Sequence, residues 1–293
     1  MIKSLSSCDV SINVSAPESV LERILSSNAV YEVLPSPSIG EEVKDSPLIE
    51  ITESDEFEVI EDYPHYYYKG KSASDVMLIA MLMLERLREE KGEYSIHSSS
   101  VEKDGKAVIL FGWKDSGKTT TALNLCNNFY FKFLSEGRTV VDRDLKIVGR
   151  MLGVDNDHHS LKGKYINRTK RLLDEDKYSP LDKESKLALM VYVQLSPYNE
   201  VIRWEPLKAK FHLYELFTHD IRGQGSLINN YSKPLKPVDT EELADARAKF
   251  VDKLTLNVPV YQIRGTPDFI SEKIAEILQE SDKYQLAASL SSF

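Results

Sequence analysis

The chain has 293 residues, 42% hydrophobic and 28% charged, with 46 acidic against 37 basic side chains and a formal net charge of −9. That balance suits a globular protein with a sizeable core. It argues against a general nucleic-acid surface, which needs a basic excess. The longest unbroken apolar run, Val76 to Leu84, is far shorter than the roughly 18 residues of a membrane span. Residues 1–20 also lack the compact apolar centre of a secretory signal, so the expectation is a cytoplasmic chain with no membrane partner. Cys8 and Cys126 stand far apart with no metal-ligand spacing and read as buried thiols.

In chain order, residues 1–72 read as an acidic, β-rich appendage. Between Glu41 and Asp62 ten acids stand against Lys44 alone, around strand-like fragments such as Leu48 to Thr52. Tyr66 to Lys69 is expected to be a strand whose alternate rings pack inward. Residues 73–281 follow as the main domain, and 282–293 as a frayed tail. A helix capped by Ser74 or Asp75 is expected to run to about Glu90, stop at Gly92 and bury itself against the main sheet, because it is apolar nearly all round through Leu84. Ile96 to Phe111 then reads as a hairpin turned at Asp104-Gly105. Short strands are expected at 130–134, 138–141 and 146–148, and a core strand at Leu187 to Leu195. A helix over 207–217 comes next, then one from Asp239 or Thr240 to about Lys253 with Glu242 available for a capping box. A strand over 258–263 and a helix from the Thr266 cap through about Gln279 close the chain.

The most informative segment is Gly112-Trp113-Lys114-Asp115-Ser116-Gly117-Lys118-Thr119, a complete GxxxxGK[ST] phosphate-binding loop. It lies between the apolar strand KAVILF and the start of a helical pattern, which is the context the motif requires. Backbone N–H groups at a helix N-terminus converge on one small volume where the helix dipole also favours negative charge. Gly112 and Gly117 permit the loop conformation, Lys118 reaches the terminal phosphates, and the Thr119 hydroxyl is placed to hold Mg²⁺. Trp113 and Lys114 are variable positions of the motif. With Thr120 on the first helical turn, these residues form the candidate nucleotide site.

The stretch IHSSSVEKDGKAVILFGWKDSGKTTTALNL resembles the HPr kinase/phosphorylase-like P-loop proteins, whose catalytic domain is related in fold to phosphoenolpyruvate carboxykinase. The likeness runs from about His97 to Val148. His97 opens one strand of the hairpin, 21 residues before Lys118, and FLSEGRTVVDRDLKIVG matches in part the segment carrying the family's acidic pair. VPVYQIRGTPDF looks like the strand and helix that end such domains. The resemblance implies an α/β fold of α+β character, with a mixed β-sheet core, the P-loop and packed helices. It also implies ATP-dependent phosphorylation of a hydroxyl on a small molecule or a protein serine. Lys118 would serve phosphate, Thr119 and an acid the metal, an acid the role of base, and His97 would stand near the γ-phosphate.

The chain departs from that pattern where two adjacent acids are expected, because Glu136 is followed by Gly137. Asp142 and Asp144, at i and i+2 of an expected strand, would share a face and could replace the missing metal ligand or base. Glu136, Asp142 and Asp144 are therefore all candidates, and His97 reads either as a site residue or as a satisfied strand-end histidine. A nucleotide-binding regulatory protein, or a slow NTPase without kinase activity, is the alternative that Gly137 motivates. The Lys162, Lys164, Arg168, Lys170 and Arg171 cluster reads as a solvated face, although it could receive an anionic partner. Asp155-Asn156-Asp157-His158-His159 reads as a polar loop. His219, Asp220, Arg222, Gly223 and Gly225 read as a connecting loop whose arginine could clamp phosphate. The base of the nucleotide, the acceptor and any homo-oligomer stay open.

Overall fold

The computed structural model describes residues 1–27, 29–151, 177, 179, 184–222, 227 and 234–290. The basic cluster between 162 and 171, the polar run 155–159, and Gly223 and Gly225 lie outside the described residues.

The first layer is a six-stranded mixed sheet in the order β3-β1-β2-β4-β6-β5. Its strands are β1 (Ile2–Ser7), β2 (Val10–Ser15), β3 (Pro37–Gly40), β4 (Leu48–Thr52), β5 (Glu58–Asp62) and β6 (His65–Lys69). Alternation builds one apolar face, on which Leu5, Ile12, Val14, Ile49, Ile51, Tyr66 and Tyr68 are buried. The acids of this region sit on the other face and in the turns. Helices α1 (Glu18–Leu25) and α2 (Ala29–Val33) complete the layer with α3 (Ala73–Lys91).

Helix α3 is capped by Ser72, whose hydroxyl accepts the Asp75 amide at 3.1 Å, and it ends on left-handed Gly92. The cap thus falls two residues before Ser74, since the helix begins as soon as the β6 chain has turned. The helix is buried between two layers instead of against the main sheet alone. Val76, Ile79, Leu82 and Met83 join the apolar cluster of the first sheet, while Glu85, Arg88 and Glu89 form a buried polar face. Arg88 donates to Ser7 Oγ at 2.7 Å and pairs with Glu85, which in turn accepts from Ser95 on β7 (Glu93–Lys103). Glu89 takes bonds of 3.0, 3.0 and 2.8 Å from Arg247. Burial outweighs the pull of Arg247 and pushes the Glu89 carboxyl up to about 8. These buried pairs tie the first layer to the second.

The second layer is a seven-stranded mixed sheet in the order β10-β9-β7-β8-β11-β13-β12. Its remaining strands are β8 (Lys106–Phe111), β9 (Lys132–Asp142), β10 (Ile147–Arg150), β11 (Lys186–Leu195), β12 (Glu200–Arg203) and β13 (Val260–Gly265). β7 and β8 form the expected hairpin, with Asp104 (φ 52°) and Gly105 (φ 80°) at its turn. β11 runs parallel to both β8 and β13. Alternation along β8 splits the core: Val108 and Leu110 pack with α4 (Lys118–Asn128) and α7 (Pro267–Leu290), whereas Ile109 and Phe111 pack with α5 (Pro206–Thr218) and α6 (Glu241–Asn257). This is an α/β architecture of mixed sheets with packed helices, and among the described residues no helix is long and apolar enough to cross a membrane.

Several boundaries differ from expectation for local reasons. The strands expected at 130–134 and 138–141 are one strand, β9, because pairing with β7 continues through Gly137 from Glu93↔Asp142 to Glu102↔Lys132. β12 was not anticipated; all four of its residues are exposed, so it carries no alternation. Thr240 caps α6 by accepting the Leu243 amide at 3.3 Å, which leaves Glu242 one position short of a capping box. Helix α7 continues past Gln279 to Leu290, since neither glycine nor proline interrupts it.

Candidate functional site

The apolar strand β8 delivers the chain to Gly112 at the edge of the sheet, and α4 begins at Lys118, so the eight-residue motif spans a strand-to-helix turn. Gly112 has φ +143°, and a Cβ there would meet Val193 O of the neighbouring strand at 2.9 Å. Only glycine brings the loop that close to β11. The Leu195 amide at the end of β11 then fastens the loop by donating to Ser116 O at 3.0 Å. Trp113, Lys114 and Asp115 are exposed, Gly117 starts the helix with φ +99°, and Thr120 is exposed on the first turn.

Lys118 is 9% exposed and donates to the carbonyls of Gly112 at 3.0 Å and Trp113 at 2.9 Å. Burial lowers its ammonium below the usual lysine value, with Asp115 opposing. Thr119 Oγ1 donates to Glu136 Oε1 at 3.0 Å and lies 3.4 Å from Ser99 Oγ. The hairpin explains this meeting, because Ser99 pairs with Leu110 on one side and with Glu136 on the other. A hydroxyl and a carboxylate side by side at the start of α4 are oxygen ligands of the kind a hard divalent cation takes. Thr119 and Glu136 therefore fit Mg²⁺ shared with a bound phosphate. Among the described residues, no group of three or more His, Cys, Asp or Glu side chains stands ready to hold a metal by itself.

His97 pairs across the sheet with Arg138 and reaches solvent. Partial desolvation, followed by the charges of Lys118 and Arg138, holds its imidazole below 6.5, so it is neutral at neutral pH. Arg138 is pinned: it donates to Asp220 at 2.8 and 3.2 Å and to Val33 O at 3.0 Å. Burial works against the Asp220 charge, but Arg138 and His219 outweigh it and hold that carboxyl far below the usual range. His219, whose Nδ1 lies 3.2 Å from Asp220 Oδ1, is raised chiefly by that contact. The sequence reading left His219 and Asp220 in a connecting loop. Their part in this network depends on the β7–β9 pairing, which local sequence does not disclose.

Asp142 and Asp144 are not brought to the loop. Asp142 ends β9 opposite Glu93, six residues from Glu136, which is about 20 Å along the strand. Its Oδ1 accepts the amides of Asp144 and Lys146, both at 2.8 Å, and so caps a turn. Asp144 lies in that turn, 3.5 Å from Lys253, and does not share a strand face with Asp142. Both acids have structural work at the far end of the sheet.

On the other side of β8 lies a cleft of about 390 Å³ that sequence reasoning missed. Phe111, Tyr192 and Trp204 make its floor, with ring centroids 5.6 to 5.9 Å apart. The Trp204 indole donates to Gln262 Oε1 at 3.2 Å, which fixes the ring. Helix α5 supplies the opposite wall through Lys208, His212, Glu215 and His219. That 4-3-4 spacing, polar on a helix that faces the interior, is the signal the sequence contained.

No protein-family model matches this chain, and no curated protein matches it. Among solved structures, the HPr(Ser) kinase/phosphatase from Coxiella burnetii is similar over 67% of this chain and 97% of its own, at 12% identity and a TM-score of 0.31. A likeness of that size speaks for neither activity nor ligand.

Proposed function

We propose that this protein is a Mg²⁺-dependent kinase that moves the γ-phosphoryl group of ATP to a hydroxyl of a small molecule or a protein serine. One observation carries the reading: at the mouth of a complete phosphate loop, the hydroxyl of Thr119 is bonded to the carboxylate of Glu136, one turn from the buried ammonium of Lys118. Phosphoryl transfer asks a protein chiefly to align reactants and neutralise charge, and these are the parts it needs. Loop amides and Lys118 hold the phosphates. Thr119 and Glu136 hold Mg²⁺, which supplies charge neutralisation on the phosphate oxygens when bound. The acceptor oxygen forms a bond to the γ-phosphorus as the β–γ bridging bond breaks, ADP departs with the electron pair, and Glu136 takes the hydroxyl proton. His97, being neutral, can hydrogen-bond the incoming group without adding charge.

Only one carboxylate accompanies the loop, and this supports a second reading, a nucleotide-binding regulator or slow NTPase. Incubating the purified chain with ATP, Mg²⁺ and metabolite pools separates the two. Phosphorylated product that disappears in Lys118→Ala supports the kinase. Bound nucleotide never consumed, or phosphate released with no acceptor, supports the second reading and removes the first.

A further inference from the structure

We propose that the aromatic cleft beside Gly112 is the acceptor pocket, and that it takes a planar, ring-bearing small molecule with an acidic group at the end remote from its reacting hydroxyl. This rests on the kinase reading and adds the chemistry of the substrate. The orientation of the nucleotide follows from Lys118. Its ammonium is the group that reaches the terminal phosphates of a P-loop ligand. Here it is bonded to the carbonyls of Gly112 and Trp113, two residues that line the cleft. The terminal phosphoryl end therefore faces the cleft, and the nucleoside leads away from it. What occupies the cleft is the molecule on the far side of the γ-phosphorus.

The chemistry of the occupant follows from the walls. Phe111, Tyr192 and Trp204 offer an apolar floor suited to a flat ring. Lys208 lies 4.7 Å over the Trp204 ring, and Arg264 lines the same cleft. Arg264 Nε is buried without a hydrogen-bond partner among the described residues, although the guanidinium also lies 3.3 Å from Glu200. A buried donor with nothing to bond is costly, and an anionic group on the ligand would satisfy it. The only carboxylate of the lining, Glu215, stands one helical turn from His219, whose partner Asp220 holds Arg138. A volume of about 390 Å³ fits a small molecule and is too confined for a folded partner's surface. In the transfer, the ligand's hydroxyl oxygen bonds to the γ-phosphorus, its proton passes to Glu136, and ADP leaves.

The chain has two tryptophans, so the W113F variant reports Trp204 alone by fluorescence. The probe is 4-(hydroxymethyl)benzoate, with benzyl alcohol and glycerol as controls lacking the carboxylate and the ring. Saturable quenching is expected for the probe, with affinity at least about 10-fold weaker for benzyl alcohol and no response to glycerol. In transfer assays, Trp204→Leu is expected to raise KM for the probe about 10-fold or more, while the Kd of a non-hydrolysable ATP analogue moves less than about twofold. The exposed-side variant Lys208→Gln, which does not disturb the floor, should erase the preference for the carboxylate. If Trp204→Leu or Lys208→Gln weakens the ATP analogue and spares the probe, the cleft holds the nucleobase and the proposal is wrong. Transfer to a different acceptor at unchanged rate in both variants also overturns it while leaving the kinase reading intact. Quenching by the probe without transfer to anything overturns the kinase reading, and with it the acceptor role, but leaves the cleft a ligand site.

Discussion

The two flanks of the phosphate loop are built from opposite materials. Toward β7 and β9 the interior is made of hydroxyls: Ser98 and Ser100 both bond Thr139, Ser135 bonds the Met151 carbonyl, and Glu136 lies against Thr119. Toward β11 and β13 it is made of rings. A hydroxyl network is satisfied only in one arrangement, so it fixes charged groups to within a bond length. An aromatic wall has little directional demand and selects by shape. The lesson is a division of labour, in which one flank handles charge and the other handles identity.

Breaking the charged side at its centre should cost most. Lys118→Ala is expected to lower kcat by about 10³-fold or more, measured as ADP formation with saturating acceptor. Glu136→Gln should follow at about 10²- to 10³-fold, with ATP-analogue affinity weakened by the loss of a metal ligand. Equal turnover in Glu136→Gln and the parent would remove its role as base. Asp220→Asn acts on stability: leaving Arg138 buried without its counter-charge should cost about 3 kcal/mol at neutral pH, read by denaturant unfolding. A carboxyl whose folded value lies below its unfolded 3.8 binds fewer protons folded than unfolded, so its stabilisation is complete above that pH. The gap between Asp220→Asn and the parent should therefore narrow as the pH falls below 3.8 and not before. For His97, whose imidazole titrates below its ordinary value, the activity ratio of His97→Gln to parent should be flat between about pH 7 and 9. A ratio that changes in that window would place its titration elsewhere. Asp142→Asn and Asp144→Asn should change turnover by less than about twofold, because neither acid touches either flank.

How legible each flank was in the sequence follows from where its residues lie. The loop, its strand, its helix and the hairpin turn were readable because each is specified within a few residues: KAVILF by alternation, Asp104-Gly105 by backbone preference, Gly112 to Thr119 by the motif. Glu136 was reachable through the segment that follows α4. The aromatic cleft was not, since Phe111, Tyr192, Trp204, His212 and Gln262 come from five elements that only the strand order brings together. Asp142 and Asp144 failed for the converse reason. Their i, i+2 spacing suggested a shared face, but the strand ends at Asp142 and its carboxylate is spent on the turn.

Gly137 gives the lone carboxylate a different meaning. Its φ of +99° lies where side-chain-bearing residues are strained, and a Cβ at this point would press on Met151 Cε at 3.1 Å. Reinstating aspartate at position 137 would therefore bend the strand that presents Glu136 to Thr119. A backbone already committed to this kink has no room for a neighbouring acid, so whatever chemistry the protein performs has been adapted to a single proton acceptor and is not the remnant of a pair that one mutation could restore.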